Sequence, residues 1–288
     1  MSASPPLFRF SQVEFPWPLG PLDGRYLLRA GADPDGEASQ VIVFATLAAP
    51  ERRRRLATRK HREAPPEPEP TPVATGRATI IEVGEPLLDL ERAQAWLRGA
   101  GEDELAAGLA VLNRALHAFR VVTTDPYLHP VSRHQALVAR IGFGAGEQVA
   151  DGLWTSAREL VLTGARLRRA RILHPKARLA AVLGARQPPL ACEELTLRAR
   201  LDLDHGRERE AALQLLVALD AALAELPSQS DSGPLTDRLD ELRGQREAVA
   251  AAAQAALDGQ LDDQHRHTVT FTVARIEAAL RARAVQSG

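Results

Sequence analysis

The side chains with the clearest chemical potential lie between residues 125 and 154, where Asp125, His129, His134 and Asp151 fall within one irregular stretch. A histidine beside a carboxylate is the smallest set that performs general base catalysis, so convergence of His129, His134 and Asp151 would suit a hydrolase or lyase. Nothing in their spacing requires convergence, and Pro130 holds His129 extended. Gly142, Gly144 and Gly146 precede Glu147 in the same stretch. A phosphate-cradling loop needs a helix after the glycines, or a Lys-Ser/Thr pair. Here EQVADGLW reads as strand, so ALVARIGF and EQVADGLW are expected to pair across Gly144-Ala145-Gly146 as a hairpin with positive φ at its turn.

Two further groups carry charge. Asp262, Asp263, His265 and His267 are metal-capable, but they offer neither cysteine nor a fixed i, i+4 pair and read as solvated surface, so no metal or cofactor is expected. Arginines suited to bidentate phosphate contact occur in two runs. One holds Arg52, Arg53, Arg54, Arg55, Arg59, Lys60 and Arg62; the other holds Arg166, Arg168, Arg169, Arg171, Lys176 and Arg178. No aromatic is interleaved in either, which weighs against single-strand stacking, and any nucleic-acid binding is expected to be weak.

The formal charge of -1 over 288 residues hides an asymmetry. Residues 190–288 carry 17 acidic and 11 basic side chains, leaving 20 against 25 in residues 1–189. The two halves therefore suit different partners, or each other. The single cysteine, Cys192, excludes an internal disulfide and a zinc pair, and reads as a buried thiol. No signal peptide or spanning apolar run stands out, so a cytoplasmic protein with no membrane partner is expected.

The elements that must position these residues follow from periodicity. Residues 7–15, 25–30, 40–47 and 77–83 read as strands, and Trp17, between prolines, as a lid folded onto a small core. Residues 50–72 join an arginine run to APPEPEPTP and read as a disordered linker. Pro86 is expected to open a helix reaching about Leu97. Leu105, Leu109, Leu112, Leu116 and Phe119 form one helical stripe. RELVL (158–162) reads as a strand, and Pro175 as the start of a helix.

From residue 190 the chain reads as all helix. A pair of helices meets at His205-Gly206, and the second is apolar from 211 to 219 except at Gln214, so it is expected to be covered on every side. Leu235, Leu239, Leu242, Val249, Ala253 and Ala256 hold heptad spacing, with Arg246 the one exception, which suits either a partner helix or self-association through 235–257. TVTFTV (268–273) alternates like a strand, yet Val269, Val273, Ile276 and Leu280 hold helical spacing for longer and predict a helix.

Residues 198–226 resemble a single tetratricopeptide-type hairpin: Ala199 in the first helix, Gly206-Arg207 at the turn, then Glu210-Ala211-Ala212-Leu213 and Ala218-Leu219. The resemblance implies binding of peptides or other proteins, although such units stack in threes or more and only one is present.

The expectation is an α+β protein divided as 1–49 (small β module), 50–72 (linker), 73–173 (mixed middle section with a β-hairpin) and 174–288 (all-helical domain). The leading functional reading is a non-enzymatic interaction or scaffold module acting through the helical domain. Nucleic-acid binding by the arginine runs stands second, and a hydrolase or lyase near 125–154 third.

Overall fold

A computed structural model describes residues 5–29, 36–47, 73–161, 175–184, 186, 188–226, 233–259 and 261–286. The chain is α+β and forms two compact units, Met1–Thr163 and Gly164–Gly288. The linker expected at 50–72 lies outside the described residues.

The first unit is built on six antiparallel strands: β1 (Leu7–Phe15), β2 (Gly24–Arg29), β3 (Ala38–Leu47), β4 (Thr75–Leu87), β5 (Val138–Gly144) and β6 (Ser156–Glu159). Their order is β2-β3-β4-β1-β5-β6. β4 inserts between β3 and β1, so the small β module and the middle section share one sheet. Alternation sorts the side chains. Val13, Phe15, Ile42, Phe44, Ala78, Ile80, Ala139 and Ile141 form one core with helices α1 (Leu90–Gly99) and α2 (Glu102–Thr123). Phe10, Val41 and Ile81 form a smaller cluster with Val149 and Trp154. Trp17 folds back as expected, its ring 5.6 Å from that of Phe15.

Two local expectations fail for identifiable reasons. Pro86 does not open a helix: β4 continues through Leu87, and α1 begins at Leu90, where the Asp89 carboxylate accepts from Arg92 N. A capping carboxylate sets the helix start here more firmly than a proline does. Residues 147–151 are not a strand but a short 3₁₀ helix closed by Gly146 and Gly152, both at positive φ. The hairpin partner of β5 starts later, at Ser156.

The second unit contains α3 (Pro175–Leu183), α4 (Ala191–Asp204), α5 (Glu208–Glu225), α6 (Gly233–Asp258) and α7 (Asp263–Gln286). The last four form a bundle in which successive helices pack on one another and α7 returns to α4. Polar pairs fix the directions. The start of α4 meets the end of α5 through Cys192 and Glu225, and the start of α5 meets the end of α6 through Arg209 and the Ala256 carbonyl. The end of α7 meets the start of α4 through Arg283 and Glu193. The arrangement is up-down-up-down.

TVTFTV is helix, as its longer period predicts, with Val269, Val273 and Ile276 buried. The heptad stripe of α6 is buried inside the bundle rather than left for a partner. α5 departs from the sequence reading. Ala211, Ala212, Leu215, Ala218, Leu219 and Ala222 are buried, but Leu213 is 36% and Val217 55% exposed, so one face meets water.

Candidate functional site

The centre of the sheet is polar where β1 crosses its neighbours. Gln12 is buried, and its side-chain amide donates to Thr79 Oγ1 at 2.9 Å and to the Ala150 carbonyl at 3.4 Å. Glu14 accepts from Arg77 Nε and Arg140 Nη1, both at 3.1 Å. Gln12 and Glu14 stand directly opposite Thr79 and Arg77 across the β1–β4 ladder. Arg140 also faces the Trp154 ring at 5.9 Å from its centroid. Each charge in this cluster has a partner, which is the signature of a structural network that holds the 3₁₀ turn onto the sheet.

Recesses in this unit open between α2 and the sheet. The two are in close contact at Gly108, where an added Cβ would stand 1.9 Å from Ser11 Oγ. Toward the start of α2 lies a polar cleft of about 620 Å³, lined by Arg9, Glu82, Glu85 and Glu104 together with Ser11 and Trp96. Arg9 Nη2 contacts a Glu85 carboxylate oxygen at 3.3 Å, while its Nε is buried without a partner. Glu104 is committed to the helix, accepting from the Gly101 amide at 2.5 Å. Toward the end of α2 lies a cavity of about 410 Å³ with mostly apolar walls. A chain of side chains separates the two: Arg114 Nη2 donates to Gln40 Oε1 at 3.2 Å, and Gln40 Nε2 donates to both Glu82 oxygens at 3.2 Å.

The residues singled out near 125–154 sit apart from these recesses. His129 is exposed in the loop after α2, His134 is exposed in a short 3₁₀ helix (Arg133–Gln135), and Asp151 is exposed at the end of the 147–151 turn. Among the described residues no hydrogen bond or ion pair joins any two of them, and Asp125 is occupied in capping Tyr127 N at 2.9 Å. The 262–267 group begins a helix. Asp262 precedes α7 and accepts from both the backbone and the ring nitrogen of His265 at 2.8 Å, and the donors hold its carboxyl below the usual range. His267 stacks on Phe271. Among the described residues no group of three or more metal-capable side chains comes together. Arg52, Arg53, Arg54, Arg55, Arg59, Lys60, Arg166, Arg168, Arg169 and Arg171 all lie outside the described residues.

At one end of the bundle, Cys192 is fully buried in the first turn of α4. Leu190 cannot cap that helix with its own side chain. Glu225 does so from α5, accepting from the Ala191 amide at 3.1 Å and the Cys192 amide at 2.9 Å. Glu193 adds a third bond, from the Leu190 amide at 3.1 Å. Burial, then the neighbouring Glu225 carboxylate, push the Cys192 thiol up to about 12, so it stays protonated and unreactive at neutral pH. Burial alone would raise the Glu225 carboxyl, but the Cys192 and Ala191 donors outweigh it and hold the carboxyl below its usual value.

Comparison with known proteins adds no identity: no family model, no curated protein and no solved structure matches this chain. α2 is the one helix among the described residues with the length and composition to cross a bilayer. Its stripe of Leu105, Leu109, Leu112 and Leu116 is instead buried in the sheet-unit core. Sequence reasoning missed the α2 cavity and the Glu225 cap, because both are made by residues far apart in the chain. Ala115 and Ala118 line the cavity, but α2 also carries Ala106, Ala107, Gly108 and Ala110, so small residues alone did not mark it.

Proposed function

We propose that the chain is a non-enzymatic cytoplasmic interaction module that engages a protein partner through the α4–α5 face of its helical bundle. The observation that carries this reading is the wet apolar side chains of the hairpin. Leu197 and Leu201 on α4 are 65% and 41% exposed, and Leu213 and Val217 on α5 are exposed as well. Each pair sits at i, i+4 spacing, so each forms a stripe along one helix, the form in which helices present anchors to a partner. The buried alanines at 199, 211, 212 and 218 suit the small-residue helix crossing of a tetratricopeptide-like hairpin. The heptad stripe of α6 is already covered within the bundle, which moves the proposed contact onto α4 and α5.

The test is affinity capture with the full chain, the Leu197→Glu/Leu201→Glu variant and the Leu213→Glu/Val217→Glu variant, each first shown to be folded by circular dichroism. A partner retained in stoichiometric amount by the wild type and lost with one pair supports the proposal. Identical captures from all three proteins would remove it.

A further inference from the structure

The cavity at the end of α2 has a composition that selects a ligand class, independently of the bundle. Tyr26, Leu28 and Phe44 supply the sheet side, while Ala115, Phe119 and Val122 supply the helix side. Among the described residues the only charged ones lining it are Arg29 and Arg114, and no carboxylate does. Both arginines have neutral partners: Arg29 Nε donates to the Gly36 carbonyl at 2.8 Å, and Arg114 donates to Gln40. Among the described residues neither is paired with an acid. An apolar recess lined by guanidinium groups attracts an apolar body that carries negative charge at one end. The volume of about 410 Å³ falls within the range of about 300–1,000 Å³ usual for small-molecule sites.

We propose that this cavity binds an amphipathic carboxylate, with its apolar chain between α2 and the β2–β3 strands and its carboxylate at Arg114 and Arg29. The neighbouring cleft offers an anion no alternative. Beyond Gln40 the lining turns acidic, with Glu82, Glu85 and Glu104 against the single Arg9. An anionic head is repelled from that cleft and stays in the cavity, where the two arginines attract it.

The experiment is calorimetric titration of the full chain with decanoate and with decyltrimethylammonium, which share a chain and differ in the sign of the head, both below micelle formation. Decanoate is expected to bind one to one, and the cation about tenfold more weakly or less. The Arg29→Gln/Arg114→Gln variant should lose about threefold per arginine for decanoate, as for exposed charge pairs, and bind the two probes alike. Ala118→Trp fills the cavity from an exposed helical position and should abolish binding of both. If that variant does not fold, Val122→Asp serves instead: Val122 is 82% exposed, and a carboxylate there should weaken decanoate selectively. Equal affinity of the wild type for both probes, no binding of either, or undiminished decanoate binding by folded Ala118→Trp would each overturn the proposal.

Discussion

The core of the sheet unit is filled by large side chains such as Phe15, Ile42, Ile80, Ile141 and Phe143, whereas the bundle core is rich in alanine, at 199, 211, 212, 218, 222, 252, 253, 256 and 279. The difference shapes the surface of each unit. Alanine lets helices approach until their backbones nearly set the spacing, and the bundle then meets water along continuous helical stripes. In the sheet unit α2 is in close contact with the sheet at Gly108, and the polar cleft and the apolar cavity open toward its two ends. The bundle therefore offers faces and the sheet unit offers recesses, which is why a partner protein is assigned to one and a small amphiphile to the other.

The largest effect is expected from breaking the buried face of α5. Leu219 is fully buried, so Leu219→Asp puts an unpaired carboxylate among apolar neighbours and should cost about 3–5 kcal/mol, enough to unfold the bundle. Leu213→Asp lies on the wet face of the same helix and should change stability by no more than about 0.5 kcal/mol. Urea unfolding followed by circular dichroism separates the two. Equal losses would mean that α5 has no wet face.

A smaller effect tests the close contact between α2 and β1. Gly108→Ala should cost about 1–3 kcal/mol by overpacking, despite the better helix propensity of alanine, because its Cβ meets both Oγ and Cβ of Ser11. Ser11→Gly in the same chain should restore most of the loss, since the two residues share one contact. Destabilisation that persists in the double variant would place the close approach elsewhere.

How much of this was legible follows from the range of each signal. Periods of two and of three to four residues are local, and they located the first four strands, the α2 stripe, the α4–α5 hairpin and the helix over 268–273. EQVADGLW misled because Val149 and Leu153 mimic a strand, while Gly146 and Gly152 close a turn whose valine is buried against Phe10 and Trp154. The apolar run in α5 looked buried on all sides because composition does not reveal how many neighbours a helix has. Sheet order was not readable either: the pairing of β4 with both β1 and β3 is fixed by contacts across long stretches of chain. The recesses were least legible, since they exist only where α2 stands off the sheet.

The smallest effect concerns the cap at the end of the bundle, and its sign follows from the pKa shift. The Glu225 carboxyl is held below its usual value of 4.5 in the folded chain by the Cys192 and Ala191 donors. A group with a depressed folded pKa stabilises the protein fully above its unfolded pKa and loses that contribution as pH falls through the folded value. Glu225→Gln keeps the shape but loses the charge facing the positive end of α4, and should cost about 1 kcal/mol at neutral pH. The difference from wild type should hold from neutral pH down to about 4.5 and then shrink as the wild-type carboxyl protonates. Denaturant titrations of both proteins at pH 7, 5 and 3 read this directly. The Cys192 thiol provides the control on the same helix turn: buried and held up at about 12, it should resist alkylation at pH 8 in the wild type. Faster alkylation in Glu225→Gln would show that the cap also keeps the first turn of α4 closed, whereas a stability difference that does not change with pH would show that Glu225 acts by packing rather than by charge.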